Sequence, residues 1–130
     1  MLKLTAAIIV LTCTLTSCLS LSDAGTNTFI KQSSNKRQDK KAILFLKEAG
    51  ATVADSYHVT VCDIDHTLDK GEVGNALTVD TNNGATFLDT ASINFTWLGN
   101  DTLQIDYDKK LRALIQEKKV DDVTIIYKPR

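Results

Sequence analysis

Apolar and polar residues alternate strictly between Ser92 and Tyr107. Ile93, Phe95 and Trp97 interleave with Ser92, Asn94 and Thr96, and Leu103, Ile105 and Tyr107 interleave with Thr102, Gln104 and Asp106. Gly99-Asn100-Asp101 separates the two runs. A period of two around a Gly/Asn/Asp turn predicts an antiparallel hairpin with one buried face. That face should carry Phe95, Trp97, Leu103, Ile105 and Tyr107. Asn94, Thr96, Gln104 and Asp106 should share the wetter one.

The same reading extends to both sides. Ala42-Ile43-Leu44-Phe45-Leu46 is a short unbroken apolar run, as in a strand covered on both faces, and Gly50 ends it. In Tyr57-His58-Val59-Thr60-Val61-Cys62, the residues Tyr57, Val59 and Val61 share one face and His58, Thr60 and Cys62 the other. A polar connection from Asp63 to Asn75 leads to a short strand, Ala76 to Asp80. Thr81-Asn82-Asn83-Gly84 then has turn chemistry. Residues 109–119 fit a helical face (Leu111, Leu114, Ile115) about as well as a strand. Val123 to Tyr127 reads as a last strand. The predicted fold is all-β and mostly antiparallel, with six or seven short strands and at most one short helix. Its simplest topology is a meander, either curled or packed as a two-sheet sandwich.

The beginning of the chain follows a different logic. Lys3 precedes an apolar run from Leu4 to Leu15, and small residues follow up to Cys18. This is the layout of an export signal, and the run is too short for a spanning helix, which needs about 20 residues. Leu15-Thr16-Ser17-Cys18 resembles the lipobox of bacterial lipoproteins. Cys13 does not compete, because Thr12 is larger than the residue expected before a modified cysteine. The resemblance implies cleavage of residues 1–17, a thioether-linked diacylglycerol on Cys18 and a further acyl chain on the new amino terminus. One buried chain binds a membrane marginally, whereas two or more anchor it stably. The implied location is the bacterial cell envelope. Leu19, where aspartate would signal inner-membrane retention, directs the protein to the outer membrane if the source is Gram-negative. Residues 18–40, rich in Ser, Asn, Thr and Lys, are expected to form a flexible tether, and residues 41–130 the folded domain.

Charge narrows the partners. The chain has 15 Lys and Arg against 16 Asp and Glu. Only Lys3 falls within the first 17 residues, so the remainder carries a net charge of −2. No basic stripe and no clustered aromatic platform point to nucleic acid. The partner implied is the membrane, through Cys18, and any protein partner in the envelope stays unspecified. With Cys13 removed and Cys18 acylated, Cys62 is the remaining thiol, and burial or pairing with another molecule are its two options.

Several short motifs then follow one another in order: Gly50-Ala51-Thr52, Val59-Thr60-Val61, Gly74-Asn75, Trp97-Leu98, Leu103-Gln104-Ile105-Asp106-Tyr107 and Ile125-Ile126-Tyr127. Their succession over residues 41–128 resembles a family of small uncharacterised bacterial envelope proteins. Members often carry a cysteine before the Gly-Ala-Thr; Ala49 stands there in this chain, so no role of that cysteine carries over. The resemblance implies a small β domain in the envelope and brings no activity.

The most enzyme-like string is Val59 to Leu68, a strand followed by Asp63-Ile64-Asp65-His66-Thr67-Leu68. It resembles the first motif of haloacid-dehalogenase-type phosphatases. That resemblance implies Asp63 as nucleophile and Mg²⁺ ligand and Asp65 as acid/base, hence an Mg-dependent phosphohydrolase as the alternative function. Such folds need a parallel sheet and a crossover helix, whereas the residues after Leu68 keep a β-type pattern. A helix of three or more turns after Leu68 would discriminate. Asp63, Asp65, Asp69, Glu72 and His66 could also hold a cation. An EF-hand does not fit, because Leu68 stands where glycine is required. His58 and His66 lack zinc spacing. The expectation is therefore a lipid-anchored binding or structural module with no cofactor, whose acidic loop is solvated.

Overall fold

The computed structural model describes residues 26–48 and 54–130, so the signal segment, Cys18 and Gly50-Ala51-Thr52 lie outside the described residues. Among the described residues are nine strands: β1 (Asn27–Ser34), β2 (Lys40–Lys47), β3 (Ser56–Asp63), β4 (Leu77–Asp80), β5 (Ile93–Trp97), β6 (Thr102–Tyr107), β7 (Arg112–Gln116), β8 (Lys119–Val120) and β9 (Val123–Pro129). One 3₁₀ turn, Thr90–Ser92, precedes β5 and is capped by Asp89. The all-β expectation holds, with β1 and β8 beyond those predicted. Residues 112–116, ambiguous from sequence, form a strand.

The strands form two open sheets, in the orders β1-β2-β3-β4-β7 and β5-β6-β9-β8. Every pair is antiparallel except β6 with β9. The inner faces share one core: Leu44, Val59, Val61, Leu77 and Val79 from the first sheet meet Ile93, Leu103, Ile105, Val123 and Ile125 from the second. The arrangement is a two-sheet sandwich, in which each fully buried Leu, Ile or Val contributes about 1.5–3 kcal/mol.

The expected β5–β6 hairpin is present: Phe95 lies opposite Ile105 and Trp97 opposite Leu103, which puts these side chains on one face. Leu103 and Ile105 are fully buried, and Phe95, Trp97 and Tyr107 pack against the core with part of each ring exposed. Trp97 also ties the sheets together, its indole N–H donating to the Ser33 carbonyl at 3.0 Å.

The expected tether is corrected. Residues 27–34 form β1, paired along its length with β2 and carrying a bulge at Ile30. Its sequence contains few apolar residues because it is an edge strand. Backbone pairing and Ile30, which packs on the core, hold it in place, while Phe29 stays 53% exposed. The folded domain therefore includes residues 27–40, and the rest of the expected tether, residues 18–25, lies outside the described residues.

Register fixes the two ends of the sandwich. Asn27, Lys47, Ser56, Asp80 and Arg112 lie in one row across the first sheet. Ile93, Tyr107 and Pro129 form the matching row of the second. Thr26 leaves from this end. The turns after β1, β5 and β8 gather at the opposite end, where the Arg37 N–H donates to Asn100 Oδ1 at 2.9 Å and Lys40 Nζ lies 3.8 Å from Asp122.

Candidate functional site: a hooded acidic cleft on β3

Both faces of β2 and β3 are buried. The inner face belongs to the core. The outer face, with Ile43, Phe45, His58, Thr60 and Thr78, is between 0% and 5% exposed although no second sheet covers it. The connection between β3 and β4, residues 64–76, folds back over His58 on this face as a hood, the Gly74 N–H donating to the His58 ring. Asn27 Nδ2 donates to the carbonyls of Asp69 and Glu72 at 2.9 Å each, and Lys47 Nζ donates to the Glu72 carbonyl at 3.2 Å.

Two consecutive residues seat the hood. A methyl group on Gly74 would stand 2.9 Å from Val59 N, Val59 O and Leu77 O, so only glycine lets the backbone lie this close. Asn75 then pairs with Val61 through its side chain: Nδ2 donates to the Val61 carbonyl and Oδ1 accepts from the Val61 N–H, both at 2.8 Å.

His58 sits beneath. It stacks on Phe45 with ring centroids 5.3 Å apart. Its Nδ1 accepts from Gly74 N–H at 3.0 Å, so the ring hydrogen is on Nε2, which donates to Ser56 Oγ at 2.8 Å. Burial, with the charge of Lys47 adding to it, lowers the His58 pKa to about 4. The Ser56–His58 pair escapes sequence reading, although i, i+2 spacing on one strand face could have signalled it. It is no catalytic dyad. Nδ1 takes a backbone N–H instead of giving one to a carboxylate, and Nε2 already holds a hydrogen and cannot accept one from Ser56.

Between the hood and the far end of β3 lies a cleft of about 300 Å³, lined by Thr60, Cys62, Asp63, His66, Glu72 and Asp121 among others. His66 Nε2 and Glu72 Oε1 are 2.6 Å apart, an ion pair when the imidazole is protonated. The Glu72 side chain is 14% exposed, and its second oxygen, Oε2, is buried with no partner. Thr60, 4% exposed, likewise has a buried and unpartnered Oγ1. Asp63 is bound to Lys40 Nζ at 2.6 Å. Cys62 is half-buried rather than fully buried, and burial raises its thiol to about 11, so it stays protonated and is not an activated nucleophile.

The loop expected to be solvated is thus only partly so. Asp63, Asp65 and Asp69 are exposed, while His66 and Glu72 fold inward. Asp65 is not among the cleft-lining residues, so the structure does not bring Asp63 and Asp65 together there. Asp121, in the sequence only a two-residue echo with Asp122 of the phosphatases' downstream acidic pair, lines the cleft from the turn before β9. Among the described residues no three His, Cys, Asp or Glu side chains are arranged to hold a metal ion. Among them, too, no α-helix follows Leu68, and β3 runs antiparallel to both its neighbours. The phosphatase-like string therefore lacks the parallel βα setting that its chemistry uses. Compared with known protein families, curated proteins and solved structures, the chain matches none.

Proposed function

We propose that this protein is a non-catalytic binding module, held on a bacterial envelope membrane through acylated Cys18, and that its hooded cleft takes a small ligand bearing a protonated amine or guanidinium. The observation that carries the binding reading is the unmet acceptor capacity under the cleft. Glu72 Oε2 and Thr60 Oγ1 are buried without partners, and each such orphan costs about 1–3 kcal/mol. A group rich in N–H donors would satisfy both. Glu72 and Asp121 add negative charge to the cleft beyond Asp63, which Lys40 already pairs, and that charge favours a cation. Both orphan atoms lie just under the cleft surface, so binding is expected to shift the hood.

The anchor is supported by the Leu15-Thr16-Ser17-Cys18 sequence and by the export-signal layout before it. The test of binding is heteronuclear NMR of the protein titrated in turn with 1,4-diaminobutane, MgCl₂ and CaCl₂. The diamine should shift the amides of residues 60–75 saturably, and Glu72→Gln should abolish the effect. No shift with any of the three would remove the binding reading. Mg²⁺-dependent turnover of a phosphate ester, lost in Asp63→Asn, would replace it with the phosphohydrolase.

A further inference from the structure

The end of the sandwich opposite the turn cluster carries an exposed aromatic beside basic side chains. Phe87, in the connection from β4 to β5, is 86% exposed, the most exposed large apolar residue described. It lines a cleft of about 570 Å³ together with Asp89, Asp108, Lys110 and Arg130. Lys109 is exposed next to them, and Lys128 is exposed on the last strand. The two carboxylates are engaged locally: Asp89 accepts from the Ala91 N–H at 2.8 Å and Asp108 from the Lys110 N–H at 2.9 Å. Arg130 Nη2 donates to the Ala91 carbonyl at 3.4 Å, and Lys109 and Lys110 are exposed on the same side of the molecule as Phe87.

Register places the exit of the chain at the same end. Asn27 stands in one row with Lys47, Ser56, Asp80 and Arg112. The segments carrying Phe87 and Lys109-Lys110 extend beyond Asp80 and Arg112 of that row. Cys18 is eight residues before Thr26. Covalent geometry limits that span to about 27 Å, so an acylated Cys18 keeps this end near the bilayer.

We infer that this end is a membrane-contacting surface. Phe87 enters the interfacial region, and Lys109, Lys110 and Arg130 meet anionic headgroups. The acidic cleft on β3 and the turns around Asn100 and Asp121 then face away from the lipid. The inference rests on the anchor proposed above and is independent of what the cleft binds.

The test uses the full lipidated chain, reconstituted in vesicles of phosphatidylethanolamine and phosphatidylglycerol with and without brominated acyl chains. Phe87→Trp and Leu98→Trp place an indole at the two ends; both positions are exposed, so neither change should disturb folding. Wild-type Trp97 supplies the background. The indole introduced by Phe87→Trp should be quenched at least about twofold more than the one introduced by Leu98→Trp, and Lys110→Glu should reduce that excess. Protein that floats with the vesicles but shows equal quenching at the two sites would overturn the surface while leaving the anchor standing. Protein that fails to float would remove both.

Discussion

The side chain of Asn75 pairs with the backbone of Val61 as a neighbouring strand would, with one donated and one accepted hydrogen bond of 2.8 Å each. β4 reaches only as far as Val59 along β3. The Asn75 carboxamide therefore extends the ladder by one position while the backbone turns away into the hood. Asn75→Ala leaves both Val61 groups without these partners and should cost about 1–3 kcal/mol. Asn75→Asp should be no better, because it sets an acceptor against the Val61 carbonyl. Urea midpoints check this, and a wild-type midpoint in Asn75→Ala would contradict it.

Gly74 and Gly71 lie in the same hood and should respond oppositely. A methyl on Gly74 meets three backbone atoms at 2.9 Å, none of which can rotate aside. Gly74→Ala should cost about 1–3 kcal/mol or more by lifting the hood. Nothing lies within 4 Å of a methyl on Gly71, so Gly71→Ala should stay within about 1 kcal/mol of wild type. Equal melting temperatures for the two variants would show that the hood is not seated as described.

Trp97→Ala should cost about 3 kcal/mol, at the low end for a large aromatic because part of the ring is exposed. It removes core packing and the indole donor to Ser33. Thr96→Ala, on the exposed face, should stay within about 0.5 kcal/mol. Denaturant unfolding of both variants measures the difference, and similar midpoints would contradict the assignment of hairpin faces.

The hairpin was legible because strict alternation fixes which residues share a face and the short Gly99-Asn100-Asp101 turn joins the two runs, and β2 because an unbroken apolar run needs cover on both faces. β1 was not legible. An edge strand held largely by backbone pairing leaves little hydrophobic period, and Asn27 to Ser34 reads like a linker. β8, with two residues, is too short to show any period. Asp63, His66 and Glu72 stood out as a polar cluster, but their separation into exposed and inward-facing groups depends on the hood. The hood in turn depends on Gly74 and Asn75 meeting Val59 and Val61, contacts that no local pattern encodes. Asp121 joins the cleft through the turn before β9, for the same long-range reason.

His58 gives the domain a defined pH response. Its pKa is about 4 in the fold against 6.5 for an unperturbed histidine. Between those values the unfolded chain binds the proton and the native state does not, so stability falls as pH falls. The contribution is complete above about pH 6.5, and about 3 kcal/mol is lost by pH 4. Asp80, whose pKa is lowered by hydrogen bonding to Arg112, acts further down: its contribution is present above the usual carboxylate range and is lost below it. Thermal unfolding from pH 7 to 4.5 should show a declining melting temperature in wild type and a much flatter profile in His58→Gln. Parallel profiles would show that His58 does not carry the effect.

An acylated Cys18 underlies both the proposed location of the domain and the proposed direction of its cleft. Mass spectrometry of the protein isolated from membranes of its host measures this directly. The expected amino-terminal peptide begins at Cys18 and carries a diacylglycerol thioether with or without an added N-acyl chain, and Cys18→Ser should leave the precursor unprocessed. A mature chain that begins at another residue, or at an unmodified Cys18, would contradict the anchor and the orientation built on it.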